Sequence, residues 1–226
     1  MNTTTTILGR EGGGETRRHI LEAARPIVGG RGFSAVGLNE ILLAAGVPKG
    51  SFYHYFASKE AFGVALIETY FERYFAALDA LLARRDVSGA ERLMIYWRRW
   101  LELQCAEDPE GWCLAVKLGA EVSDLSEAMR GALERGTHQV VDRLAAAIEA
   151  GIADGSIGRS GGVGTAGRGG APDQPPRETA AALYQMWLGA SLLAKISRSR
   201  APLETALAET ARRLAVSPKR PVPIEV

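Results

Sequence analysis

FSAVGLNEILLAAGVPKGSFYHYFASK, residues 33–59, is the stretch whose reading decides the fold. Leu38, Ile41 and Leu42 recur at helical spacing and predict a short helix over 38–45. Gly46, Val47 and Pro48 make a turn, and Pro48 falls at the edge of the next helix, where a missing N–H costs little. A second short helix over 49–55 turns Phe52 inward, with Phe56 buried just after it. It leaves Lys49, Gly50, Ser51, Tyr53, His54 and Tyr55 as candidates for its outer side. Ser58 reads as the cap of a long helix running to about residue 83.

Helix, tight turn and second helix with basic, hydroxyl and aromatic groups on one side is the layout of a helix-turn-helix that reads DNA. Such a helix needs a buried side that fixes docking and an outer side that reaches phosphates and base edges. Gly50 would allow close approach to the DNA backbone, and Ser51 can donate to a phosphate or base edge. Tyr53 and His54 carry polar tips suited to phosphate. At Lys59 an ammonium and a helix N-terminus together favour an anion. Periodicity alone fits a plain helical hairpin with solvated polar residues equally well; the particular string separates the two.

Working outward, helical periodicity dominates and no alternating strand pattern lasts. A first helix is expected over 16–28, stopped by Gly29, Gly30 and Gly32, with Pro26 ending or kinking its last turn. A fifth covers 89–106 and is broken by Pro109 and Gly111; a short sixth covers 112–119. Asp124 and Glu127 read as a reciprocal cap for a seventh that runs to about 153. Residues 155–176 hold eight glycines and three prolines and predict a flexible loop, an unstructured insertion rather than a ligand lid. Two more helices follow, over 177–197 and 203–216. The fold class is therefore all-α: a disordered arm over 1–14, a three-helix DNA-binding domain over 15–62, a helical regulatory and dimerisation domain over 63–216, and a frayed tail over 217–226.

The chain has 226 residues, 46% of them hydrophobic, enough for a packed core. Net charge is +1, so no global field draws it to nucleic acid or membrane. Residues 1–66 carry a net of +2. That is a weak bias, and the DNA reading rests on placed residues. Two cysteines, Cys105 and Cys113, with no leader-like segment or spanning apolar run, fit thiols in a cytoplasmic protein. Three scattered histidines give no metal site, and nothing calls for a cofactor.

GVPKGSFYHYFASKEAF, residues 46–62, resembles the signature of TetR-type repressors. The resemblance implies a homodimer on a double-stranded operator, an inverted repeat, with an effector pocket in the C-terminal domain and dimerisation through the last two helices. It assigns DNA contacts to Lys49, Ser51, Tyr53, His54 and Lys59. Gly37 stands where many members have Thr, so a phosphate contact there would involve only backbone; Pro48 stands where many have a Ser cap. The strings GWCLAVKLGAEVSDLSEAMRGAL, from residue 111, and LYQMWLGASLLAKISRSRAPLETAL, from residue 183, are similar to an electrophile-sensing branch of that family. In that branch the cysteine matching Cys113 is the sensing thiol, with a lysine matching Lys195 nearby. Ser123 stands where the branch often has a further cysteine, so several cysteines acting together are not implied. Detoxifying enzymes are the implied targets.

The residues themselves make Cys113 chemically reasonable. It sits at an expected helix start, where the dipole favours a thiolate, the form that attacks quinones, enals and hypochlorous acid. Lys117 could add charge on the same face. The alternative is a small buried hydrophobe. Cys105 ranks second because Glu107 and Asp108 disfavour its anion. Trp97, Trp100, Trp112 and Trp187 could line a pocket or form core, Trp112 being the pocket-wall candidate beside Cys113. Leu183, Trp187, Ala190, Leu193 and Leu207 mark an apolar face on the terminal helices that fits a four-helix dimer interface. The expected protein is a repressor that releases DNA when Cys113 is modified. A repressor of the same fold gated by a reversibly bound small organic ligand is the alternative. An enzyme with Cys113 as nucleophile lacks a base, since no helical spacing brings a histidine beside it.

Overall fold

The computed structural model describes residues 8–106, 114–158 and 175–214. Among them lie nine helices and no strand: α1 (Leu8–Arg31), α2 (Leu38–Ala45), α3 (Lys49–Tyr55), α4 (Lys59–Leu82), α5 (Gly89–Cys105), α6 (Leu114–Leu125), α7 (Glu127–Ala153), α8 (Pro176–Ser197) and α9 (Ala201–Arg213). The chain divides into two compact units, residues 1–74 with 106–137 and residues 75–105 with 138–226.

In the first unit α1 packs on α2 and α3. Ile20, Ala24 and Val28 are fully buried along α1. That burial outweighs the helix cost of about 1 kcal/mol per glycine. So α1 continues through Pro26, Gly29 and Gly30, which were expected to end it, and stops only at Gly32, whose φ of 94° no other residue adopts easily. It also starts at Leu8, inside the segment expected as an arm. α2 and α3 have the expected bounds. Gly46 closes α2 in the left-handed region at φ 62°. Its N–H reaches Leu43 O at 3.2 Å while Val47 N reaches Leu42 O at 3.1 Å. This paired closure sets the angle at which the chain enters α3. The rings of Phe52, Phe56 and Phe62 lie 5.1–5.4 Å apart and fasten α3 to the first turn of α4. Ser58 caps α4 as expected, accepting from Ala61 N at 3.0 Å.

Two expectations need correction. α6 runs past Gly119 to Leu125, because Leu118 and Val122 continue its buried face at helical spacing. The cap of α7 is Ser126, not Asp124 with Glu127: the Ser126 hydroxyl accepts from Met129 N at 3.2 Å, and Asp124 belongs to α6.

In the second unit α5, α8 and α9 pack on one another. Trp97 and Trp187, both fully buried, stack at 4.8 Å with 15° between planes. Trp100 Nε1 donates to Ser191 Oγ and Trp187 Nε1 to Thr210 Oγ1, each at 2.9 Å. These tryptophans are core. The first amides of α5 are capped from beyond α7: Gly89 N donates to Asp154 at 2.7 Å and Ala90 N to Ser156 Oγ at 2.9 Å. Of the expected loop 155–176, residues 159–174 lie outside the described residues, and Ile157 at its start is buried, its N–H on Gly151 O at 2.9 Å. The segments 1–7 and 215–226 also lie outside them.

Gly46→Ala forces a Cβ into the left-handed region and should lower stability by about 1 kcal/mol or more. A lowered urea midpoint with unchanged slope is the expected result. An unchanged midpoint would show that the closure of α2 does not depend on glycine.

Candidate nucleic-acid interface and regulatory segment

α3 is seven residues long and turns one residue, Phe52, fully inward. Lys49, Gly50, Tyr53 and His54 are exposed, and Ser51 and Tyr55 are half-buried. The Lys49 ammonium lies 5.9 Å from the Tyr53 ring centroid, so one turn of helix presents a cation beside a phenol. The His54 and Tyr55 rings meet edge-on at 4.8 Å. A Cβ on Gly50 would meet nothing within 4 Å, which leaves open space on that side. Lys59, at the start of α4, is half-buried. Its ammonium donates to Phe33 O at 3.0 Å and sits 4.7 Å from the Phe33 ring centroid, holding the α1–α2 loop.

Several positioning residues had no sequence signal. His19 Nε2 donates to Ala45 O at 2.9 Å, tying α1 to the C-terminal end of α2. Arg31 pairs with Glu40 and Arg73 with Glu22. Glu121, on α6, accepts from Phe33 N at 3.1 Å and from Ser34 N at 2.5 Å. Burial pushes the Glu121 carboxyl up, but the hydrogen bonds from Ser34 and Phe33 and the nearby Lys59 charge outweigh it and hold the group below its usual range. Nearby, the Ser126 hydroxyl donates to Glu60 in the first turn of α4.

Among the expected sensing residues, Trp112 and Cys113 lie outside the described residues, as do Glu107 and Asp108. α6 begins at Leu114, the residue after Cys113. Lys117 is half-buried on α6, and Lys195 is exposed in the last turn of α8. Cys105 is a free, exposed thiol at the end of α5. Partial burial pushes it up, Glu102 and Glu204 add to that, and Arg200 opposes it. Glu102 and Glu204 are thus two acids that disfavour its thiolate. Of the expected interface residues, Leu183, Trp187 and Ala190 are buried within the chain, Leu207 is half-buried and Leu193 is 56% exposed.

This head, with its short outward helix bearing Lys49, Tyr53 and His54, is that of a helix-turn-helix DNA-binding regulator. Residues 20–66 match the model for bacterial regulatory proteins of the tetR family, and residues 89–161 match a tetracyclin repressor-like C-terminal domain. The chain is 42% identical over 194 residues to the HTH-type transcriptional repressor NemR of Escherichia coli (strain K12), covering 86% of this chain and 91% of that protein. It is 34% identical over 188 residues to the HTH-type transcriptional repressor DhaR of Mycobacterium sp. (strain GP1), covering 83% and 86%. The crystal structure of the reduced form of E. coli NemR superposes with a TM-score of 0.79 at 42% identity, covering 90% of this chain and 98% of that one. The chain belongs to the TetR family and is a DNA-binding transcriptional repressor.

Proposed function

We propose that this repressor is a homodimer that senses reactive electrophiles or oxidants through Cys113 and then releases its operator. The observation that carries the reading is the 42% identity to NemR over 86% of a chain that has a cysteine at position 113. The sequence pattern predicts a helix start at Cys113, where the dipole would support a thiolate. Cys105, the other thiol, is pushed up by its partial burial. The relative's crystal structure is of its reduced form. Modification would add bulk or charge one residue ahead of Leu114 in the chain, and α6 is hydrogen-bonded to the α1–α2 loop through Glu121.

Operator contact is assigned to Lys49, Gly50, Ser51, Tyr53 and His54, exposed or half-buried on α3, and to Lys59 at the start of α4. Lys49→Ala should weaken binding evenly across sequences and reduce the slope of log affinity against log salt by about 0.9, one phosphate contact. An unchanged slope would remove Lys49 from the interface. Leu192, Leu193 and Ile196 are 50–70% exposed on α8 and supply an apolar surface for a second copy. Leu193→Glu should halve the mass seen by light scattering, and a mass equal to wild type would argue against this face.

Fluorescence anisotropy of labelled operator, titrated with a quinone, tests the sensor. Release from wild type and retention by Cys113→Ser is the expected pattern. Equal release from both would move the trigger to a reversibly bound ligand or to Cys105.

A further inference from the structure

The α1–α2 loop fixes where α2 begins, and α2 has no side-chain cap of its own: Gly37 stands at its N-cap. Its early amides turn back to Gly37 O, from Glu40 N at 3.1 Å and Ile41 N at 3.3 Å. The loop must therefore be held from outside α2. Phe33 and Ser34 give both backbone N–H groups to the two oxygens of Glu121, from 88 and 87 residues away in the chain. The Phe33 carbonyl takes the Lys59 ammonium. The Phe33 ring presses on Gly63 of α4, where an added Cβ would come within 2.8 Å of it. Gly32, just before, leaves the space the carboxylate fills, since a Cβ there would stand 2.9 Å from Glu121 Oε2.

We propose that Glu121 is a positioning residue of the DNA-reading head, so that the head of this chain is completed by a carboxylate from α6, outside the 20–66 segment that carries the helix-turn-helix. The carboxylate fixes the α1–α2 loop, the loop fixes the start of α2, and the Gly46 closure passes that orientation to α3. Loss of the carboxylate leaves two amides without their acceptor and lets the α2–α3 pair sample orientations that do not fit the groove. Apparent affinity then falls by the fraction of heads still correctly set. The sign separates this from simple electrostatics: removing a negative charge should tighten binding to DNA, whereas removing this clamp loosens it.

The test uses the full chain and a duplex selected from a random-sequence library by the wild-type protein. Glu121→Ala is expected to bind on the order of tenfold more weakly. Glu121→Gln should fall between, because its amide oxygen can accept from one of the two N–H groups. The salt slope should match wild type, since no phosphate contact is lost. In wild type the Phe33 and Ser34 amides should exchange slowly with solvent, and in Glu121→Ala both should become fast. Binding of Glu121→Ala equal to or tighter than wild type overturns the proposal. So does slow exchange at both amides in that variant, or a reduced salt slope. Where Glu121→Ala fails to fold, Glu121→Gln and the wild-type exchange rates decide, with unprotected Phe33 and Ser34 amides in wild type counting against the clamp.

Discussion

Burial of Phe52 is the constraint on which the DNA-reading end depends. A seven-residue helix does not persist in water, because so few hydrogen bonds cannot repay the cost of nucleation. α3 exists because one of its side chains is fully buried and stacks with Phe56 and Phe62. Everything it presents outward is therefore free of packing duty, and Lys49, Gly50, Tyr53 and His54 are available to a ligand. The same economy explains why the turn before it needs a left-handed glycine: with so short a helix, the entry angle alone decides which side faces out.

The helix-turn-helix was legible because its signals are local. Apolar spacing at Leu38, Ile41 and Leu42, the glycine at 46 and the serine at 58 each act within a few residues, and α2 and α3 have the bounds those signals imply. Where local signals compete with burial, burial decides. Glycines at 29 and 30 looked like a stop, yet the fully buried Val28 beside them holds the turn in place. Asp124 and Glu127 fit a capping pattern, but the apolar face through Val122 kept Asp124 inside α6 and left the cap to Ser126. Glu121 was invisible for another reason. Its partners lie 87 and 88 residues away, and nothing in its own surroundings marks a carboxylate that will accept two backbone amides.

In the other unit the aromatic residues were legible as apolar but not as to role. Trp97, Trp100 and Trp187 serve packing, and two of their indole N–H groups find hydroxyls on facing helices. Trp97 Nε1 is buried with no hydrogen-bond partner, a local cost offset by its stacking on Trp187. The apolar face expected over α8 and α9 divides: Leu183, Trp187 and Ala190 hold the chain together, Leu207 is half-buried, and Leu193 lies outside beside Leu192 and Ile196, which were not expected there.

The tryptophan stack also determines what light will report. No tryptophan precedes residue 97, so the segment bearing α1, α2 and α3 is dark to excitation of indole. Trp97, Trp100 and Trp187 lie within 4.8–6.2 Å of one another and will behave as one coupled chromophore, with a near-ultraviolet dichroism signal that reports packing of α5 against α8. The indole dichroism of this protein is thus a channel for the integrity of the three-helix core that no residue of α1, α2 or α3 contributes to.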